Sequence, residues 1–224
     1  GIPILAHWIF QYAFADTCST IVSGAMIGRT SFRGDILYSI GITGFIYPII
    51  GHWAWGPDGF LALMGSKGNF FESLGQGFRD FAGSTVVHTI GGIASLAGAI
   101  VLGPRIGRIF KRDDKEKGGM PPGHNMLIAA VGTFILWFGW YGFNPGSTLS
   151  AMDVQGIGRV ATNTTLAACA GGMFAMIAAL WWGDTKGKFD LGYTLNGCLG
   201  GLVAITCPCY WVSPLGATLL GAVA

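Results

Sequence analysis

The stretch Asp80-Phe81-Ala82-Gly83-Ser84-Thr85-Val86-Val87-His88 opens an apolar run of 22 residues, Phe81 to Leu102, that holds no formally charged side chain. A helix crosses a bilayer in about 20 residues at about 1.5 Å each, so this run is long enough to span. It also sets His88 about 12 Å inside the membrane. An ionisable group at that depth is costly, tends to face a cavity, and marks a route for an ion, a proton or a small polar solute. The stretch therefore names lipid as the solvent and His88 as the residue around which function is sought.

Composition agrees with that solvent. Charged residues make up 11% of the 224, against roughly 25% in soluble domains. Hydrophobic residues reach 51%, and mean hydropathy is +0.54. The fold class expected is an all-α polytopic membrane protein. Apolar runs long enough to span cover Ile4–Ile27, Ile36–Trp55, Phe81–Leu102, Met126–Phe143, Val160–Trp182 and Leu191–Val212. A further run begins at Pro214 and reaches Ala224. Short connections make consecutive helices antiparallel neighbours within one bundle. Gly1 is no initiating methionine, and the last residues fall inside an apolar run, so residues 1–224 are read as an internal piece of a membrane domain.

Loops alternate sides across six spans, which places Arg29, Arg33, Arg105, Arg108, Lys111, Arg112, Lys115, Lys117, Lys186 and Lys188 on one side. Only Lys67, Arg79 and Arg159 fall on the other. The positive-inside rule then puts Gly1 outside, extracellular or periplasmic, and the Pro104–His124 loop in the cytoplasm of a cell-membrane protein. The mixed-sign run Lys111-Arg112-Asp113-Asp114-Lys115-Glu116-Lys117 reads as a solvated loop, with lipid headgroups or a docked protein as the alternatives.

The 38 glycines concentrate inside the spans, Gly91, Gly98, Gly171, Gly197 and Gly201 among them, where small residues let helix backbones approach closely. The five cysteines form no framework; they read as buried thiols, with a disulfide through Cys207 or Cys209 as the alternative. No metal, cofactor or nucleic-acid partner is expected.

Depth bookkeeping brings polar and aromatic residues toward one column. Phe10 lies in the outer part of the first helix, with Phe14 one turn deeper on the same face. Trp55 stands at the outer end of the second. Trp140, Phe143 and Ser147 share a face near the outer end of the fourth. His88 lies nearer the midplane. Aromatic faces attract a desolvating cation by about 2 kcal/mol or more, and a hydroxyl accepts one of its hydrogen bonds. A phenylalanine constriction followed by a histidine suits a solute that crosses as a base and a proton. Ammonium fits this order; potassium, which cannot deprotonate, does not.

Each residue also has a plainer reading. Trp55 beside Trp53 and His52 matches an interfacial aromatic belt. Phe10, Phe14 and Phe143 match core or lipid-facing positions, and His88 a core histidine. Asp80 is placed to cap the third helix. Asp16, inside the first span, calls for a polar partner within the bundle. An intramembrane hydrolase built on Ser84 and His88 lacks any visible oxyanion donors, so no enzyme is expected.

The run Asp80 to His88 resembles the signature of the ammonium transporter family, the Amt/Mep/Rh group, and further motifs follow in the same order. Phe10-Gln11, Phe14-Ala15 and Ile21-Val22-Ser23-Gly24-Ala25 resemble the family's third helix, and Ala54-Trp55-Gly56 the end of its fourth. Trp140-Tyr141-Gly142-Phe143-Asn144-Pro145-Gly146-Ser147 resembles the sixth. Asn163-Thr164-Thr165-Leu166-Ala167-Ala168 and Gly200-Gly201-Leu202-Val203-Ala204-Ile205-Thr206 resemble the seventh and eighth. The resemblance covers nearly the whole chain, roughly the third to the ninth helix of a fold with about eleven spans. It implies an external ammonium recruitment site at Phe10, Trp55 and Ser147, and a gate at Phe14 and Phe143. It implies His88 as the first of two pore histidines, Asp80 as a structural support near the site, and Trp140 as an aromatic at the pore mouth. It further implies a homotrimer in the lipid bilayer and closure by a P-II-type regulatory protein at the cytoplasmic face. An ammonium-sensing module coupled to a cytoplasmic signalling domain is the alternative. The second pore histidine lies beyond Ala224, and Gly28-Arg29 stands where the family usually carries Glu-Arg.

Overall fold

The structure, a computed structural model, describes residues 2–64, 68, 77–110, 112–114, 119, 121, 123–182 and 187–224. Lys67, Lys111, Lys115, Glu116, Lys117 and Lys186, which enter the charge asymmetry and the mixed-sign loop, lie outside the described residues.

Among the described residues the chain forms helices α1 (Ile4–Met26), α2 (Phe32–Trp55), α3 (Ser84–Leu102), α4 (Met126–Gly146), α5 (Val154–Trp182), α6 (Leu191–Thr206) and α7 (Pro214–Val223). The fold is all-α, as the composition predicts, and an isolated bridge between Ile109 and Gly119 is the β pairing recorded. By length and composition α2, α3, α4 and α5 are apolar enough to cross a membrane. At 23 residues α1 is long enough but carries His7, Gln11 and Asp16. At 16 residues α6 rises about 24 Å, short of the roughly 30 Å hydrocarbon core.

Caps rather than hydropathy set the helix ends. Helix α2 starts four residues before Ile36, because the Ser31 hydroxyl accepts from Gly34 N and Asp35 sits in the first turn. Helix α3 starts at Ser84, after Asp80 has accepted from Gly83 N at 2.8 Å and Ser84 N at 3.1 Å. Helix α5 starts six residues before Val160, where Asp153 accepts from Gly156 N at 2.9 Å. Helix α6 stops at Thr206 instead of running to Val212: Cys207 keeps helical dihedrals, φ −72° and ψ −56°, but Pro208 has no N–H to donate to the Ala204 carbonyl. Two helices hold π turns, Ile42–Ile46 in α2 and Ser84–Thr89 at the head of α3. The first lies just ahead of Pro48, which has no N–H for the Gly44 carbonyl, and the wider turn accommodates that gap.

The helices form two compact units, residues Gly1–Phe78 with Thr85–His124, and residues Arg79–Ser84 with Asn125–Ala224. In the first, α1 packs along α3. A methyl on Gly91 would lie 3.0 Å from the Cys18 carbonyl oxygen, and the Ser95 hydroxyl donates to the Ile21 carbonyl at 3.3 Å. Helix α2 joins α1 through Ser19 and Ser39, whose hydroxyls are 2.9 Å apart.

In the second unit, α5, α6 and α7 meet through glycine. A methyl on Gly171 would strike the Gly197 carbonyl, and one on Gly201 or Gly221 would strike the carbonyl of Ala167. Val160, Ala167, Ile205, Cys209 and Ala217 make the core beneath them, with Phe81, Tyr210 and Val212 packed against it. All five cysteines are free thiols, so the disulfide alternative is not realised. Large apolar side chains point outward on α3 and α4, Val101 at 83% and Phe138 at 79% exposure, the arrangement suited to a lipid solvent.

Candidate functional site

Within the first unit, the structure brings Phe10, Phe14 and Trp55 together. The Phe10 and Phe14 rings lie 4.5 Å apart at 42°, one helical turn along α1. Phe14, only 2% exposed, meets Trp55 at the end of α2 edge-on at 5.7 Å. Phe14 thus touches both aromatic residues expected to recruit a cation. A cavity of about 460 Å³ opens beside Trp55, lined also by His7, Gln11, Tyr12, Tyr47 and His52. The Tyr47 hydroxyl donates to Gln11 Oε1 at 3.4 Å, and both residues line this cavity.

His88 belongs to the same unit and is buried, as are its neighbours Val86 and Val87. It sits near the end of the π turn that opens α3. A π turn widens the helix by a residue and re-aims side chains, and such turns occur often at functional sites. One turn further on, Gly91 abuts the backbone of Cys18, itself one turn past Phe14 and fully buried. The segment bearing His88 is therefore packed beside α1 at the level below Phe14. Nothing in the hydropathy of the sequence signals this π turn.

Within the second unit, hydrogen bonds and a ring contact hold the candidate residues. Trp140 and Phe143 rings lie 6.2 Å apart, and Trp140 Nε1 donates to the Thr206 hydroxyl at 2.8 Å. Thr206 in turn donates to the Leu202 carbonyl at 2.7 Å. The Ser147 hydroxyl donates to the Phe143 carbonyl at 2.8 Å, which commits its proton and leaves its oxygen lone pairs as acceptors. A cation is what such an oxygen can still receive.

Asp80, buried at 6% exposure, makes the cap that its position before α3 predicts. The segment around it is stitched to the end of α6. Phe81 N and Ala82 N donate to the Cys207 and Thr206 carbonyls, each at 3.1 Å. The Ser84 hydroxyl donates to the Val203 carbonyl and accepts from Cys207 N, both at 2.6 Å. That hydroxyl thus ties the head of α3 to the end of α6.

Several buried polar residues escape the sequence reading. Asn144 and Asn163 are fully buried; Asn144 Nδ2 donates to Thr164 at 3.0 Å, and Asn163 Nδ2 donates to the Cys209 carbonyl at 2.8 Å. Their place inside the quoted motifs is the signal that could have found them. Asp16 departs from expectation in another way. It is exposed and opens on a cavity of about 610 Å³, while Asp35 on the neighbouring helix is bonded by Ser23 at 2.7 Å and by Tyr38. Among the described residues no group of three or more His, Cys, Asp or Glu is placed to hold a metal.

The model of the Ammonium Transporter Family matches residues 1–224. Ammonium transporter Amt2 of Archaeoglobus fulgidus is 48% identical over 225 residues, covering 100% of this chain and 46% of the relative. A solved structure described as Sensor Amt Protein superposes with a TM-score of 0.82 at 40% identity, covering 95% of this chain and 49% of that one. Candida albicans Mep2 superposes with a TM-score of 0.82 at 31% identity, covering 99% of this chain and 44% of that one. The chain thus spans about half the length of the relatives it matches.

Proposed function

Because this chain belongs to the ammonium transporter family, we propose that it forms part of a multi-pass membrane protein that carries ammonium or ammonia across the bilayer. The contact chain Phe10–Phe14–Trp55 beside its cavity is the observation that carries this reading. In the first unit Phe10 and Trp55 receive the cation on their ring faces, an attraction of about 2 kcal/mol once water is shed. In the second unit the Ser147 oxygen accepts one of its N–H bonds. Phe14 and Phe143 form the gate, where a charged solute without its hydration is least stable. There ammonium transfers a proton to a water molecule of the outer vestibule, giving hydronium and neutral ammonia, and the ammonia passes His88. Asp80 and Trp140 support the site through the hydrogen bonds described above.

The outer surface lies on the Gly1 side and the 104–124 loop is cytoplasmic, a sidedness that rests on the distribution of basic residues. By family likeness the whole protein is a homotrimer whose cytoplasmic face receives a P-II-type regulator. The test is methylammonium uptake by the full-length protein carrying His88→Ala. Uptake is expected to fall to background, and wild-type uptake at equal expression would refute the pore role.

The 40% identity to the Sensor Amt Protein favours one second reading, in which the same transmembrane module senses ammonium and signals to a cytoplasmic domain. A kinase or cyclase domain following in the full-length sequence would decide for sensing.

A further inference from the structure

Helices α1 and α3 end in the same way, side by side. Each stops before a glycine in the left-handed region, Gly28 at φ 73° and Gly103 at φ 78°. Each glycine is followed within two residues by an arginine, and the two arginines cross. Arg29, after α1, donates through Nη1 to the Gly103 carbonyl at 2.7 Å. Arg105, after α3, donates through Nη2 to Gly24, a carbonyl of the last turn of α1, at 3.0 Å. Each guanidinium therefore caps the other helix, where cations are favoured and carbonyls lack partners.

The caps leave donors over. The Nε atoms of Arg29 and Arg105 are both buried without a hydrogen-bond partner. A buried charged group with an unmet donor costs more than an ordinary missing bond. Both arginines line a cavity of about 330 Å³, together with Arg108, Ala99, Phe110 and Pro121. Arg108 stands 5.4 Å from the Phe110 ring centroid and takes no part in either cap. Among the described residues the lining holds three guanidinium groups and no carboxylate. Arg112 and Asp113, nearby in sequence, pair with each other at 3.5 Å as exposed side chains.

We propose that this cavity binds a phosphate-bearing anion, with the headgroup of an anionic phospholipid as its source. Guanidinium forks match phosphate oxygens in geometry and charge. The apolar part of the lining fits an ester-linked phosphate with an organic tail better than a bare ion. The surroundings continue that chemistry: Val101 is 83% exposed and Ile106 90%, a path for acyl chains from the cavity rim. The site lies on the side that collects ten of the thirteen basic residues, where anionic lipid adds about 1 kcal/mol per Lys or Arg. It is independent of the proposed transport.

The test uses the intact protein in detergent, with bound lipid counted by native mass spectrometry. Phosphatidylglycerol should be retained in preference to phosphatidylcholine, and millimolar inorganic phosphate should not displace it. Arg108→Gln removes one guanidinium and no helix cap, so phosphatidylglycerol affinity should drop about tenfold with an unchanged lipid-free melting temperature. Arg105→Lys keeps the charge and its reach to Gly24 but lacks the Nε donor, and should weaken the same binding severalfold. Displacement by inorganic phosphate, with both variants losing phosphate affinity, would retain the anion site and assign it to soluble phosphate. Equal retention of the two lipids by wild type, or wild-type phosphatidylglycerol affinity in both variants, would overturn the proposal.

Discussion

The seam between α1 and α3 in the first unit and the seam among α5, α6 and α7 in the second are both glycine-rich, and they are built differently. In the second, methyl groups added at Gly171, Gly201 or Gly221 would meet backbone carbonyls of the facing helix. In the first, a methyl on Gly91 would approach the Cys18 carbonyl oxygen at 3.0 Å, but one on Gly98 would meet the thioether end of Met26, at 2.7 Å, and polar side chains join the two helices elsewhere along the seam. A backbone carbonyl cannot move without unwinding its helix, whereas a methionine end can change rotamer. The second unit is accordingly a rigid frame that fixes hydrogen-bonded residues such as Trp140 and Asp80. The first leaves room along α1, where cavities of about 460 and 610 Å³ open beside aromatic and polar side chains.

Substitutions that trade one kind of seam for the other probe this contrast. Gly201→Val should produce the largest effect, a loss of about 3 kcal/mol or more through overpacking, read as a failure to recover monodisperse protein in detergent. Gly98→Ala, in the compliant seam, should leave yield and melting temperature near wild type. If the two behaved alike, the distinction between the seams would fail.

Asp80→Ala comes next. It strips the acceptor from two backbone N–H groups at the head of α3 and should cost about 2 kcal/mol, visible as a lower melting temperature. Asp80→Asn keeps an oxygen in place and should recover most of that loss. An equally low melting temperature for both would mean that charge, not the cap, is what the position requires.

Trp140→Phe retains the ring but loses the N–H bonded to Thr206, and about 1 kcal/mol of stability should go with it. Ser147→Ala should have the smallest effect on stability, close to zero, because its hydroxyl bonds to the Phe143 carbonyl in the last turn of the helix it caps. Methylammonium uptake should nevertheless weaken, with a raised KM. Unchanged uptake kinetics in Ser147→Ala would remove this oxygen from the proposed recruitment site.

Much of the helical order was legible, and the reasons for the misses are specific. The run from Phe81 to Leu102 announces a helix by its lack of charge, but it cannot show that the first turn is a π turn, because that depends on how Asp80 and Ser84 are held from outside it. Asp16 and Asp35 look alike as carboxylates near apolar segments. Helical spacing brings Tyr38 to Asp35, but only packing adds Ser23 from α1 and leaves Asp16 facing a cavity. Phe10 and Phe14 were placed on one face by their spacing, and that pairing is present at 4.5 Å. The edge contact of Phe14 with Trp55 joins residues 41 positions apart, beyond any local periodicity.

By itself, the sequence determined the solvent, the helical class and the family. In lipid a backbone must satisfy its own N–H and C=O groups, so long uncharged runs leave helices as the available form for this composition. It also determined that His88 would lie within a membrane-spanning run, since Phe81 to Leu102 holds no formally charged side chain. The tertiary structure alone decided which glycines face carbonyls, what holds Asp80, and that Arg29 and Arg105 cap each other's helices. Those contacts join groups 74 and 81 residues apart in the two arginine caps, and nothing local in a chain encodes which remote carbonyl a side chain will meet.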